Sequence, residues 1–599
     1  MKSLKRLNAF LKGSRRIFLL AVLSICLTSL TAALIPLVLR TVIDSVIGTN
    51  PFSLPPRVIS AIEALGGRDR LVSNLWICGV VLIGLTAFNG LFMFLRGRIA
   101  AAASENSGKR MRERLYDHIV RLPYDYHVKS HAGDLIQRCT SDVETVMGFV
   151  SSQAVDMGQS ITTFGIALAI MLAIDPVYTL FSLMLMPGVF VTTILFFNGM
   201  KKTFKLTDEA EGRMTSTLQE NLTGVRVVKA FGAQNYEIGK FDEKNREYRD
   251  YILKIVKLMS NFWSSGDFIC MAQMALVLLL GVYWVNTGRM TMGNLVAFST
   301  YCGMLIWPIR QLGQLLAFMG QSFISLGRLQ EILDAPLEKD NADDIKPEIR
   351  GAIEFDSVDF GYSENVPLLK DLSFRIEKGQ TVAFLGATGS GKSSLLYLLV
   401  RLYEYDRGSI RLDGHELNRI DRRWLRRNVG IVLQEPFLFS KQVRENIRFG
   451  DTGADDERVE AAAKIAAIHD SILEFEKGYE TMVGERGVTL SGGQRQRLAI
   501  ARAVIRDVPI RIFDDSLSAV DMQTDAQIRS ALREKSRDTT TIIISHRITT
   551  LAEADVIFVL DGGRIAQKGS HDELINQEGL YRRVWQIQSA LEDEIREAG

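Results

Sequence analysis

The sequence predicts two domains of different class, an α-helical membrane domain with six spans followed by an α/β domain. Three observations carry this reading. Runs apolar and long enough to cross a bilayer, which takes about 20 residues, recur six times and stop near residue 333. The mean hydropathy of +0.09 is high for a chain with 23% charged residues, which fits an apolar half averaged with a polar one. Residues 386–393 read Gly-Ala-Thr-Gly-Ser-Gly-Lys-Ser, after a strand-like run at 381–385 and before a helix-like run at 394–402. A chain of 599 residues exceeds what one core holds. The expected parts are a membrane domain at 1–334, a linker at 335–350 rich in Asp, Glu and Lys, and the α/β domain at 351–599.

The spans are expected at 17–43, 75–95, 149–174, 177–197, 262–285 and 295–316. Pro187 and Pro308 fall in the fourth and sixth, where neighbours can satisfy the freed backbone. The first run is too long for a signal-peptide core, so it is read as retained. Lys and Arg set the orientation. They crowd the N-terminus (Lys2, Lys5, Arg6, Lys12, Arg15, Arg16) and the connections after the second and fourth spans. The alternate connections are poorer, so both ends are expected in the cytosol. Residues 1–12 place Leu4, Leu7, Phe10 and Leu11 at helical spacing among lysines, as in an interfacial helix or a basic tail.

The two basic connections are long and helically periodic, so they read as spanning helices that continue into the cytosol. Each has a polar interruption, at 127–134 and 232–239, suited to a turn that docks on a soluble domain. Ionisable residues within the spans are few. Asp156, Asp267 and Arg310 are either functional or helix–helix contacts. Gln153, Gln273, Gln314 and Gln321 are the polar groups of a cavity for amphipathic compounds, or of ordinary packing. None of the five cysteines forms a C-x-x-C pair, and four lie in apolar runs, so neither a disulfide framework nor a metal site is expected. A net charge of +2 gives no argument for nucleic acid.

The run at 386–393 fits the phosphate-binding pattern G-x-x-x-x-G-K-[ST]. Gly386, Ala387, Thr388, Gly389, Ser390 and Gly391 supply backbone N–H groups for phosphate oxygens, and the helix start at Ser394 adds its positive dipole end. Lys392 reaches the β- and γ-phosphates, and the Ser393 hydroxyl is placed for Mg²⁺. The domain therefore binds a nucleoside triphosphate such as ATP. Further pieces follow at sensible distances. Tyr362 precedes the main fold and offers a ring for a purine. Gln434 follows a strand at 430–433, within reach of Mg²⁺ or an attacking water. Leu490-Ser491-Gly492-Gly493-Gln494 opens a helix and forms a second phosphate cradle. The strand 510–514 ends in Asp514, a Mg²⁺ ligand type, and Asp515 comes next. His546 follows the strand 540–544, where it can contact the γ-phosphate.

This order of motifs, behind six spans, resembles an ABC exporter half-transporter of the multidrug or lipid type over essentially the whole chain. The most specific piece is the signature at 490–494, about 100 residues after Lys392. The resemblance implies that Tyr362 stacks on adenine, Gln434 is the Q-loop glutamine, and Asp514 is the Walker B partner of Mg²⁺. It makes His546 the switch histidine and 518–521 the D-loop, and it sets 484–487 as a loop facing the cytosolic turns. It implies a dimer in which each ATP lies between one chain's phosphate loop and the other chain's Ser491, Gly493 and Gln494. It also implies a location in the cell inner (plasma) membrane, with an amphipathic substrate moved by alternating access.

One departure stands out. The family usually has Glu after the Walker B Asp, as the base that polarises water, and this chain has Asp515. Its carboxylate is set back by about an ångström, which can cost ~100-fold in rate. The expectation is a heterodimer in which the site on this chain hydrolyses slowly. A homodimer with Asp515 as base is the alternative. An importer built on the same fold, or an ATP-gated channel or sensor, are further readings that residue patterns leave open. A second departure is Arg511 in a usually apolar strand, expected at a sheet edge or beside an acid.

Overall fold

The computed structural model describes residues 15–64, 67–338, 343–363, 366–484, 487, 489–517, 520–535 and 538–598. The expected interfacial helix at 1–12 lies outside them. So do Glu485 and Arg486 of the 484–487 loop, Ser518 and Ala519 of the 518–521 turn, and part of the linker. Contacts divide the chain into two units, Met1–Arg121 with Ser130–Ala335, and Leu122–Lys129 with Pro336–Gly599.

The first unit is helical, and six of its helices are long and apolar enough to cross a membrane. Its main helices are α1 (Arg15–Thr41), α2 (Trp76–Val120), α3 (Ala154–Ile174), α4 (Met186–Thr223), α5 (Gln234–Asn286) and α6 (Met292–Asp334). Four of them, α2, α4, α5 and α6, far exceed a bilayer core. The 53 residues of α5 make a rod of roughly 80 Å at 1.5 Å per residue, against a core of about 30 Å. The continuation of the spanning helices beyond a bilayer core, read from periodicity, is thus present. The second turn lies earlier than expected. Gly224 ends α4, a short helix covers Val225–Ala230, and Gly232 turns with φ +62°. Residues 234–239 already belong to α5, because one interior Gly239 is not enough to stop so long a helix.

The fourth span is not one continuous helix. A first piece, Pro176–Ser182, is followed by a turn, and Pro187 sits in the first turn of α4, where its missing N–H costs nothing. Gln273 of α5 repairs the break. Its Oε1 accepts from Leu185 N at 2.8 Å and its Nε2 donates to Ser182 O at 2.9 Å. Buried to 2%, Gln273 is a structural patch, not a cavity-lining polar group. The apolar core around it holds Met171, Tyr178, Val277, Trp284, Phe298, Tyr301 and Leu305.

Charges in this unit are paired across helices. Arg310, 8% exposed, gives Nη1 to Asp267 at 2.5 Å and lies over the Trp263 ring at 4.7 Å. Arg96 of α2 faces Asp156 of α3 at 3.6 Å. Buried Asp142 takes Ser325 Oγ at 2.9 Å and Arg328 Nη2 at 2.5 Å. All three ionisable residues noted within the spans therefore make helix–helix contacts. Asp44 caps α6 by accepting from Gly293 N at 2.8 Å and from the Thr291 hydroxyl at 2.6 Å. A Cβ at Gly293 would lie 2.5 Å from the Asp44 carboxyl carbon, so only glycine admits this contact.

The second unit has two sheets. Strands β1 (Ile353–Phe360), β2 (Leu369–Ile376), β4 (Arg407–Leu412) and β5 (His415–Glu416) form an antiparallel sheet in the order β2-β1-β4-β5. The other sheet holds β3 (Thr381–Gly386), β6 (Val429–Val432), β7 (Ile510–Asp514), β8 (Thr540–Ile544), β9 (Val556–Asp561) and β10 (Arg564–Gly569), in the order β10-β9-β3-β8-β7-β6. β3, β6, β7, β8 and β9 run parallel, which buries them on both faces. Arg511 is therefore not at an edge: β7 lies between β6 and β8, and Arg511 is 1% exposed. Burial lowers its pKa from the usual arginine range, and the charge of Asp507 opposes that shift.

Candidate functional site

The ends of three adjacent parallel strands converge on the phosphate loop. β3 leads into Gly386, β7 delivers Asp514 and Asp515, and β8 leads to His546. Helix α7 (Lys392–Leu399) begins at once after the loop, two residues earlier than the sequence suggested. Its N-cap, Gly391, has no side-chain cap, so the first N–H groups of the helix are left for a ligand. Gly391 needs its φ of +99°, and a Cβ there would meet Leu369 at 2.5 Å. A Cβ at Gly386 would strike Leu560 O at 2.6 Å, whereas one at Gly389 would meet nothing within 4 Å. The loop is thus tight at its roots and open at its crown.

Charged and hydroxyl groups gather beneath the loop. Lys392 Nζ donates to Gly386 O at 2.7 Å and to Ala387 O at 3.0 Å. Burial lowers its pKa, while Asp514 and Asp515 pull the other way. Ser393 Oγ donates to Asp514 Oδ1 at 3.1 Å. Burial raises the pKa of Asp514, Ser393 partly offsets this, and the neighbouring Asp515 charge adds to it. Burial raises Asp515 too, opposed by the charge of His546 and by the His546 peptide N–H on the carboxylate. Asp515 sits at φ +43°, a left-handed conformation that Asp tolerates better than most residues. Its own N–H donates to Ile544 O at 2.9 Å, which ties β7 to β8 just before His546.

These features fit a polyphosphate with a divalent cation. The Ser390 hydroxyl is buried with no hydrogen-bond partner. The helix start is uncapped, and two adjacent carboxylates have pKa values raised by burial. A triphosphate would bring anionic charge to Lys392 and the uncapped helix start, and Mg²⁺ would bring cationic charge to the two carboxylates.

Other expected site residues lie around this centre. Tyr362 is half exposed; its hydroxyl meets Ser394 Oγ at 2.7 Å and its ring is edge-on to Phe360 and Tyr403, at 5.0 and 5.1 Å. Gln434 is exposed two residues past the end of β6, and His546 is exposed past β8. The signature does not join the cluster. Ser491 caps α8 (Gly492–Val504) in a capping box: Gln494 N donates to Ser491 Oγ at 3.2 Å, and Ser491 N to Gln494 Oε1 at 2.9 Å. Gly493 is the second residue of that helix.

Two features escaped the sequence reading. Within the second unit, Tyr124 of the Leu122–Lys129 turn stands edge-on to Tyr403 at 5.5 Å, extending the Tyr362–Tyr403 contact into a chain of rings. Gln588, from the helix α9 (Leu580–Ala598), hydrogen-bonds the main chain at His546. Neither is carried by a local motif.

Two family models match the chain. One, described as ABC transporter transmembrane region, covers residues 18–309, and one, described as ABC transporter, covers 369–518. YknU, an uncharacterized ABC transporter ATP-binding protein of Bacillus subtilis (strain 168), is 32% identical over 593 residues, 98% of each chain. A protein of Staphylococcus aureus (strain NCTC 8325 / PS 47), provisionally named a multidrug export ATP-binding/permease protein, is 34% identical over 560 residues, 93% of this chain and 94% of its own. The solved structure of a bacterial Atm1-family ABC exporter with ATP bound is similar with a TM-score of 0.81 and 28% identity, over 96% of this chain and 99% of that one. The chain belongs to the ABC transporter family, as an ATP-hydrolysing half-transporter of the exporter type with its membrane region and its ATP-binding domain on one polypeptide.

Proposed function

We propose that the chain exports amphipathic small molecules (drugs, lipids or peptides) across the cell inner membrane by alternating access, as one half of a heterodimer. Both termini and the nucleotide-binding domain face the cytosol, in line with the Lys- and Arg-rich connections. In this reading Tyr362 stacks on adenine, and Gly386 to Gly391 with Ser394 cradle the phosphates. Lys392 neutralises phosphate charge; Ser393, Gln434 and Asp514 hold Mg²⁺. Mg²⁺ supplies charge neutralisation to the phosphates. Asp515, His546 and Gln434 orient the attacking water. Ser491, Gly493 and Gln494 complete the partner's site, with the Ser491 and Gln494 side chains bonded within their own helix turn.

ATP favours the joined state of the two domains because its phosphates need groups from both chains, and that difference in affinity moves the membrane helices. The single observation behind the heterodimer is Asp515 itself, whose side chain has one methylene less reach than glutamate. A homodimer is the second reading. It is favoured by the setting of Asp515 beside His546, whose charge and N–H both support the ionised carboxylate.

Asp515→Asn in the assembled transporter separates the two. The heterodimer predicts a loss of ATP turnover of less than about threefold, and a far larger loss for Ser491→Ala. Near-complete loss with Asp515→Asn makes Asp515 the working base. ATP-dependent accumulation in inverted vesicles, against a gradient, tests export against import and against gating.

A further inference from the structure

The turn that carries His546 is held from outside the P-loop fold. Gln588 Nε2 donates to His546 O at 2.7 Å, and its Oε1 accepts from Ile548 N at 2.8 Å. One side-chain amide thus spans both ends of the residue 546–548 turn. Ile548 opens the four-residue helix Ile548–Leu551, whose N-cap, Arg547, makes no side-chain cap. Gln588 supplies that cap from 40 residues away.

The helix that carries Gln588 is itself well seated. Tyr581 of α9 is fully buried, and Val584 and Trp585 pack on a core shared with Ala383, Leu385, Ile548 and Leu551. Leu385 is the last residue before Gly386, so the root of the phosphate loop and the seat of α9 share that core. On its other side the turn faces the carboxylate of Asp515, whose pKa the His546 N–H pulls down against the effect of burial. The main chain of His546 is therefore gripped by Gln588 at its carbonyl, with its N–H on the side of Asp515.

We propose that Gln588 is a positioning residue for ATP hydrolysis. It sets the His546 turn, and through the His546 N–H the aim of the residue at position 515. This rests on the assignment of Asp515 and His546 to the hydrolytic site made above. Release of the turn lets both groups drift from the attacking water, while the adenine and phosphate contacts of Tyr362, Lys392 and Ser393 stay in place. The effect belongs to kcat and not to nucleotide affinity.

The test uses the purified full-length transporter in lipid nanodiscs, in an Asp515→Glu background so that turnover at this chain's own site is fast. Gln588→Ala should lower kcat on the order of tenfold, as expected for a displacement of a fraction of an ångström to an ångström. KM for ATP should stay within about twofold. Gln588→Glu keeps the acceptor for Ile548 N and loses the donor to His546 O, so it should fall between Gln588→Ala and the parent while remaining folded. With His546→Ala already present, Gln588→Ala should cost nothing further. A drop in thermal stability or a rise in KM with kcat intact overturns the proposal, as does a loss that adds in full to that of His546→Ala. If His546→Ala lowers turnover and Gln588→Ala does not, this proposal alone fails. If His546→Ala leaves turnover unchanged, the assignment of the site fails and takes the proposal with it.

Discussion

The two units hold buried charge in two different ways. In the membrane unit buried Arg310 meets Asp267, and buried Asp142 meets Arg328 and Ser325, each across helices. In the nucleotide unit Asp514 and Asp515 stand side by side, both pushed toward their neutral forms by burial, and burial also works against the charge on Lys392. The first arrangement ties one helix to another. The second keeps an electrostatic cost in the folded domain that a cation and a triphosphate remove.

Four substitutions put this contrast to the test. The largest effect is expected at Asp514. In an Asp515→Glu background, where this chain's own site turns over fast, Asp514→Asn should lower ATP turnover at that site on the order of a thousandfold, about 4 kcal/mol in barrier, measured by phosphate release. The same change should raise the melting temperature of the ligand-free nucleotide domain. The sign follows from linkage: a carboxyl whose pKa is higher folded than unfolded binds protons more tightly when folded. Stability then falls as pH rises from the ordinary carboxylate range through the raised value, and the ionised group is a net cost at neutral pH. A gain of about 1 kcal/mol would appear as roughly 2–4 °C, and Mg²⁺–ATP should no longer add its own shift. A lower melting temperature at pH 7 would refute the idea that this carboxylate is held at a cost.

The membrane pair should behave in reverse. Asp267→Asn leaves the buried Arg310 guanidinium without its counter-charge, at about 3 kcal/mol. Adding Arg310→Gln should recover most of that loss in a thermal unfolding assay of the reconstituted protein. Equal or additive losses would mean that the pair is not what these helices rely on.

The smallest effect is expected in the ring chain of the second unit. Tyr403→Leu removes two edge-on contacts, to Tyr362 and Tyr124, each worth about 0.5–1.5 kcal/mol. Substrate-stimulated ATP turnover should drop several-fold with basal turnover nearly unchanged. A parallel fall in both would place Tyr403 in nucleotide binding alone.

What could be read in the sequence is what is coded locally. Six spans show as unbroken apolar length, and the cytosolic extensions show as sustained helical period. The site shows as three strands that each end in a chemically distinct group, Gly386, Asp514 and His546. The parts that could not be read depend on partners far along the chain. Gln273 mends a break near Leu185, 88 residues away, and Gln588 reaches His546 across 42. Arg511 was expected at an edge or beside an acid; strand order put β7 inside, and the charge of Asp507 acts on it there. The second turn was expected at 232–239; Gly232 does turn there, but the break already begins at Gly224, and 234–239 are helical.

The uninterrupted length of α5 makes its two extremities angularly inseparable. A tilt of about 5° at the outer end of a rod of roughly 80 Å displaces the far end by about 7 Å. A single residue inserted midway would turn everything beyond it by about 100° about the axis. The cytosolic tip would then face the wrong way although every span stayed intact. Evolution can change the sequence of such a rod freely, but scarcely its number of residues.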